Sequence, residues 1–200
     1  MAMAKNADSP FQMIKLGLIL ALYATVSCTI LAFVNYATKE KIAQNQINKA
    51  NTAMKAVMAD ADEFEKIGSF EMSSDPAITI SSVYLAKSGE KVIGGVAQVS
   101  GPTYDKATII VGLRTNGIVS GLQFLEITDS PGFGLKANDP TFTLASGKTF
   151  YGQFEGLDAK NGFAGIDVIS GATITSVGVA NLVQAGTESL AKYFTEHNYE

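Results

Sequence analysis

Ala107-Thr-Ile-Ile-Val-Gly-Leu113, then Arg114-Thr-Asn-Gly117, then Ile118-Val-Ser-Gly-Leu-Gln-Phe-Leu-Glu126 are two apolar-rich runs of strand length on either side of an Asn-Gly pair. Asn and Gly both tolerate positive φ, which is what a tight hairpin turn needs, so the segment reads as two antiparallel strands. Upstream, Ile78–Leu85 and Val92–Val99 have the same β-branched character, with breaks expected at Ser88-Gly89 and Gly101-Pro102. Downstream the period changes from two to about 3.6, and Val179, Leu182, Val183, Leu190 and Phe194 share one face of a helix expected over Val177–Tyr193 with Ser176 as N-cap. Strands grouped together and followed by a helix predict an α+β fold built on an antiparallel sheet.

The N-terminus is of another kind. Leu16–Val34 is a run of 19 residues without Asp, Glu, Lys or Arg. As a helix it spans about 28 Å, the thickness of a bilayer core. It is longer than the apolar core of a cleaved signal peptide and ends in Phe33-Val34-Asn35-Tyr36, so it predicts an uncleaved transmembrane helix after a short tail over residues 1–15. Residues 39–76 read as a helix and linker: Ala43, Ile47, Ala50, Met54, Val57 and Met58 recur at helical spacing, then acids, Gly68, two serines and Pro76 break the pattern. The globular domain is expected over residues 77–200. Cys28 is the only cysteine and lies inside the apolar run, which excludes an intrachain disulfide.

Charge excludes several functions. Residues 39–200 carry a net charge of roughly −5 and a single arginine, Arg114, so no basic face exists for nucleic acid. No Cys/His cluster is present for zinc or iron–sulfur ligation, and the acids at 60–65 lack the alternating spacing and closing Glu of a calcium loop. His197, the only histidine, reads as a solvated tail residue. No catalytic triad and no metal site are predicted.

The chemistry concentrates in two glycine-rich segments. Thr128–Gly165 is a long irregular stretch containing Phe133, Phe142, Phe150, Tyr151, Phe154 and Phe163. Connections longer than about 15 residues are usually functional when they are not disordered, and so many aromatics predict a folded binding loop. Asp167-Val168-Ile169-Ser170-Gly171-Ala172-Thr173 follows. Gly171 lets the backbone turn tightly, Ala172 keeps the adjacent volume small, Ser170 can donate or accept, and Asp167 can cap the turn. Thr173 precedes the expected helix, whose unpaired N–H groups favour a phosphate. The same seven residues are also ordinary loop-and-cap chemistry.

Asp167–Thr173 matches a D-x-x-[S/T]-G-A-T pattern, and Asp129-Ser130-Pro131-Gly132-Phe133-Gly134 resembles an E-T-P-G-L-G segment. With Val111-Gly112-Leu113 before them and Gln153-Phe154-Glu155-Gly156 between them, these residues stand in the order found in the FMN-binding domain family. That domain is shared by the G subunit of the Rnf complex and the C subunit of the sodium-translocating NADH:quinone reductase, and the short chain is more similar to the former. The departures are Asp129-Ser130 for Glu-Thr, Phe133 for Leu, and only a faint Ser100-Gly101-Pro102 echo of an upstream glycine-rich element.

The resemblance implies FMN esterified through its phosphate to Thr173. Asp167, Ser170, Gly171 and Ala172 would surround the attachment point, and Ser130, Pro131, Gly132, Phe133 and Gly134 would contact the flavin. It further implies a flavin transferase that takes FMN from FAD with the help of magnesium, Thr175 being the one rival acceptor. The domain would lie on the outer, periplasmic face of the cytoplasmic membrane, and the other membrane subunits of the complex would be its partners. The chain would then be an electron carrier in a translocase that couples electron transfer between ferredoxin and NAD to Na+ or H+ movement. Two alternatives stay open: a subunit of the quinone-reductase type, and a membrane-anchored binding module without redox chemistry.

Overall fold

The computed structural model describes residues 10–199. The chain divides into two compact units between Ile47 and Asn48. Helix α1, Pro10–Val57, supplies the described part of the first and the opening turns of the second. One uninterrupted helix stands where two were expected, because Asn35-Tyr-Ala-Thr38 contains neither Gly nor Pro and Thr38 Oγ1 donates back to Val34 O at 2.8 Å. From residue 10 to 47 every side chain is exposed, Leu18, Leu20, Leu22, Leu31 and Phe33 among them. This apolar surface and this length suit a bilayer. Thr25 and Thr29 return their hydroxyls to Ala21 O and Thr25 O, both at 2.8 Å, so neither presents an unpaired donor to hydrocarbon. Of the stripe expected to be buried, Ala43 and Ile47 are exposed and burial begins only at Ala50.

The second unit is a five-stranded antiparallel sheet in the order β1-β2-β3-β4-β5: Glu63–Lys66, Thr79–Ser88, Lys91–Pro102, Lys106–Arg114 and Val119–Ile127. The Asn116-Gly117 hairpin forms as its composition requires, with Gly117 at φ +84 and Arg114 N–H donating to Ile118 O at 2.9 Å. Gly101-Pro102, expected as a break, ends β3 instead, Gly101 pairing with Ala107 and Pro102 with Lys106. A Cβ on Gly101 would come 2.7 Å from Leu182 Cδ2, so the glycine admits the C-terminal helix rather than a turn. Strand β1 lies in the stretch read as linker. It pairs along the edge of β2, and its sequence Glu-Phe-Glu-Lys holds too few apolar residues to signal a strand.

The sheet is covered on both faces. Along β4, Ile109, Val111 and Leu113 enter one cluster with Leu182, Val183 and Leu190, while Ile110 enters a second with Met54, Val57 and Met58. Helix α2, Thr173–Glu196, supplies the first cover, and all five residues expected on its inner face are buried. It starts four residues earlier than expected. Ser176 is not the N-cap: its Oγ accepts from Ile169 N–H and donates to Ala172 O, both at 3.0 Å, so it sits inside the first turn.

The long stretch after β5 is folded, with short 3-10 helices at Gly134–Asn138, Tyr151–Gln153 and Ala159–Asn161. Most of its aromatics are core rather than binding surface. Phe150, Phe154 and Phe163 are buried, Phe154 meeting the other two rings at centroid distances of 5.7 and 5.9 Å. Phe133 alone of the six is largely exposed.

Candidate cofactor site

Two segments meet at the start of α2, and glycine makes the meeting possible. Gly171 adopts φ +78, and a Cβ there would come 3.1 Å from the Phe133 ring, so the Ser-Gly-Ala turn and the Pro-Gly-Phe-Gly turn lie in contact. Gly134 is tighter still: its Cβ would fall 2.5 Å from Asp129 Cβ and 2.6 Å from Thr175 Oγ1. The first turn is held from below by Gln153, a buried residue whose side chain pairs with the Asp167 backbone as a strand would. Asp167 N–H donates to Oε1 at 2.8 Å, and Nε2 donates to Asp167 O at 3.1 Å and to Phe150 O at 3.0 Å.

The two candidate threonines differ in kind. Thr173, the first residue of α2, is exposed, and its hydroxyl has no hydrogen-bond partner among the described residues. Thr175 is 1% exposed and donates its hydroxyl to Asp129 Oδ2 at 2.5 Å. Ala172, the N-cap, has no side chain to offer, and the first backbone bond of the helix runs from Ser176 N–H to Ala172 O. The N–H groups of Thr173, Ile174 and Thr175 are therefore left for an external acceptor at the positive end of the helix dipole.

Asp129 is the hub beneath these segments. It is 2% exposed and accepts from Thr103 Oγ1 at 2.6 Å, Asp105 N–H at 2.9 Å, Tyr104 N–H at 3.3 Å and Thr175 Oγ1. Burial alone would raise its pKa. The two hydroxyls and two amides that stabilise the ionised form outweigh burial and hold the carboxyl below its ordinary value.

Around this framework lies a cavity of about 600 Å³. Ser130, Pro131, Phe133 and Gly134 form one wall and Gly171, Ala172 and Thr173 another. Asp167, Ser170 and Gly132 do not line it: Asp167 is held by Gln153, and Gly132 serves the turn at φ +78. Tyr104, Ile174 and Thr175 complete the lining; of these the sequence singles out Thr175 alone, as the rival acceptor, and it gives Asp129 no role beneath the cavity. A solvent-facing hydroxyl, three free N–H groups beside it and apolar walls from Tyr104, Pro131, Phe133 and Ile174 fit a group with a phosphate at one end and a flat ring at the other.

Comparison with known proteins points the same way. The model of the RnfG N-terminal region matches residues 3–57, and that of the FMN-binding domain matches residues 103–188. The chain is 30% identical to the G subunit of the Na(+)-translocating ferredoxin:NAD(+) oxidoreductase complex of Acetobacterium woodii, over 84% of this chain and 86% of the relative. It is 27% identical to the G subunit of the proton-translocating ferredoxin:NAD(+) oxidoreductase complex of Clostridium ljungdahlii, over 96% and 98%. It is also 30% identical to the G subunit of the ion-translocating oxidoreductase complex of Escherichia coli O157:H7, over 85% and 87%.

Proposed function

Because this chain belongs to the family of G subunits of ion-translocating oxidoreductase complexes and carries its FMN-binding domain, we propose that it holds FMN covalently, through a phosphoester to Thr173, and passes electrons within such a complex. The observation that carries the reading is the contrast between the two threonines: one hydroxyl is free at an open helix N-terminus, the other is buried against Asp129.

The residues divide the work. Thr173 Oγ1 forms the bond to phosphorus, the bond between the FMN phosphate of FAD and AMP breaks, AMP leaves, and the hydroxyl proton departs to a base. No side chain among the described residues is bonded to that hydroxyl to act as the base, so activation falls to a flavin transferase with its magnesium. The N–H groups of the first helical turn would hold the phosphoester. Tyr104, Phe133 and Ile174, which line the cavity, would give the ring an apolar surface. Bound there, FMN would supply redox chemistry that bridges two-electron and one-electron partners, and the protein's part would be to hold it, orient it and set its surroundings.

Helix α1 anchors the domain in the membrane and brings it to the other subunits, with the domain on the outer, periplasmic face of the cytoplasmic membrane. A tether suits that side, since a released flavin would be lost to dilution. Electrons run between ferredoxin and NAD, and the complex couples them to Na+ or H+ translocation. Denaturing electrophoresis tests the attachment. Flavin fluorescence should stay with the wild-type band, made beside the transferase, and leave it in Thr173→Ala. Fluorescence that washes out of the wild type would reject the ester.

A further inference from the structure

The Asp129 carboxylate is separated from the cavity by a single layer of atoms. Oδ2 lies 2.5 Å from Thr175 Oγ1 and 2.7 Å from where a Cβ on Gly134 would sit, and both residues line the cavity. Tyr104, whose N–H donates to Oδ2, and Ser130, the next residue in the chain, line it as well. No cation among the described residues balances the charge: their ion pairs are Lys87–Glu65, Arg114–Asp60 and Lys192–Glu71. Its compensation is dipolar, from two hydroxyls and two amides. Such donors fix a carboxylate in place but leave its net charge to act on whatever lies beyond the wall.

We propose that Asp129 sets the reduction potential of the flavin: its fixed negative charge, one atom layer behind the cavity wall, holds the potential below the value that the same cavity would give with a neutral side chain. The inference rests on the reading that FMN hangs from Thr173. Reduction adds electrons to the ring, and a nearby negative charge raises the energy of the reduced form more than that of the oxidised form. At a protein-like effective dielectric and a separation of about 10 Å, one unit charge shifts the ratio of reduced to oxidised ring by about tenfold. Asp129 is thus an electrostatic and positioning residue. Its hydrogen bonds go to Thr103, Tyr104, Asp105 and Thr175, and none goes to the Thr173 hydroxyl.

The test is a spectroelectrochemical titration of the full-length flavinylated chain and two variants. Asp129→Asn removes the charge while its side-chain oxygen still accepts from Asp105 N–H and Thr103. Thr103→Val keeps the charge but removes one of the dipoles that compensate it. Asp129→Asn is expected to move the potential positive, by the equivalent of about a tenfold change in the ratio. Thr103→Val is expected to move it negative. A loss of packing alone would move both the same way, and that result, or an unmoved Asp129→Asn, overturns the proposal. If Asp129→Asn takes up no flavin, Thr103→Val decides alone: a negative shift supports the proposal and a zero or positive shift rejects it. The flavin-to-protein ratio of the denatured wild type is measured first, so a missing ester is distinguished from a failed Asp129 effect.

Discussion

Thr175 and Asp129, 46 residues apart, are joined by a 2.5 Å hydrogen bond that ties the first turn of α2 to the loop after β5. Thr173, at the start of the same turn, makes no such bond and faces solvent. Two hydroxyls of one helical turn therefore have separate tasks, and their loss should have separate consequences. Thr175→Val leaves Asp129 Oδ2 with only the longer Tyr104 N–H bond and should lower unfolding stability by about 1–3 kcal/mol. Thr173→Ala should change it by less than about 0.5 kcal/mol. Urea unfolding of both variants checks the pair, and equal losses would mean that Thr173 is structural.

Asp129 should give the domain an acid limit. Its folded pKa lies below the ordinary 3.8. A depressed carboxyl pKa stabilises in full at pH above the unfolded value and loses that contribution as pH falls through the folded one. The stability gap between wild type and Asp129→Asn should therefore be constant near neutral pH and shrink as pH falls below 3.8. Denaturant midpoints across that range measure it. A gap that widens on acidification would assign the wrong ionisation state.

Gln153 should matter to the acceptor turn as a backbone clip. Gln153→Ala leaves Asp167 N–H, Asp167 O and Phe150 O without their partner. Stability should fall by about 1–3 kcal/mol. Flavin loading should slow as well, because the residues leading to Thr173 lose their anchor. Unchanged loading in a folded variant would confine Gln153 to a structural role.

The interface between α2 and the sheet should not tolerate bulk at Gly186. A Cβ there falls 2.6 Å from Val111 Cγ1 and 2.9 Å from Val99 Cγ2. Gly186→Val should destabilise by about 1–3 kcal/mol or more, as overpacking does. Gly165, with open space where its Cβ would go, should accept Ala with a change within about 0.5 kcal/mol. Thermal midpoints of the two variants make the comparison.

The last turns of α1 should belong to the fold of the second unit. A chain starting at Asn48 keeps Met54, Val57 and Met58, which are buried in the second core cluster. One starting at Asp60 loses all three, at about 2 kcal/mol each or roughly 6 kcal/mol together. The longer fragment should unfold cooperatively in solution and the shorter one should be much weaker. Equal stability would place these turns outside the domain.

The legibility of the chain follows from how local each signal is. Four strands are readable because alternation and Asn116-Gly117 are contained in a few neighbouring residues. Strand β1 is not: Glu63–Lys66 is held by its pairing with β2 and not by its own composition. The start of α2 escapes a search for a polar N-cap, because Ala172 caps it and Ser176 bonds within the first turn. That difference matters, since it puts Thr173 on the helix with the free N–H groups. Phe150 and Phe154 resemble binding aromatics because composition does not distinguish a core ring from an exposed one. Tyr104 and the hub at Asp129 depend on contacts between segments about 25 to 46 residues apart. The available sign is an acid placed soon after an apolar strand and directly before Ser130-Pro131-Gly132.

Intact mass of the denatured full-length chain, made beside a flavin transferase that modifies a control protein, followed by peptide mapping, is the decisive measurement. One FMN should be added, on the peptide holding Thr173 and on that residue rather than Thr175. An unmodified chain, or FMN on any other residue, would contradict the assignment of the free hydroxyl at the start of α2 as the attachment point.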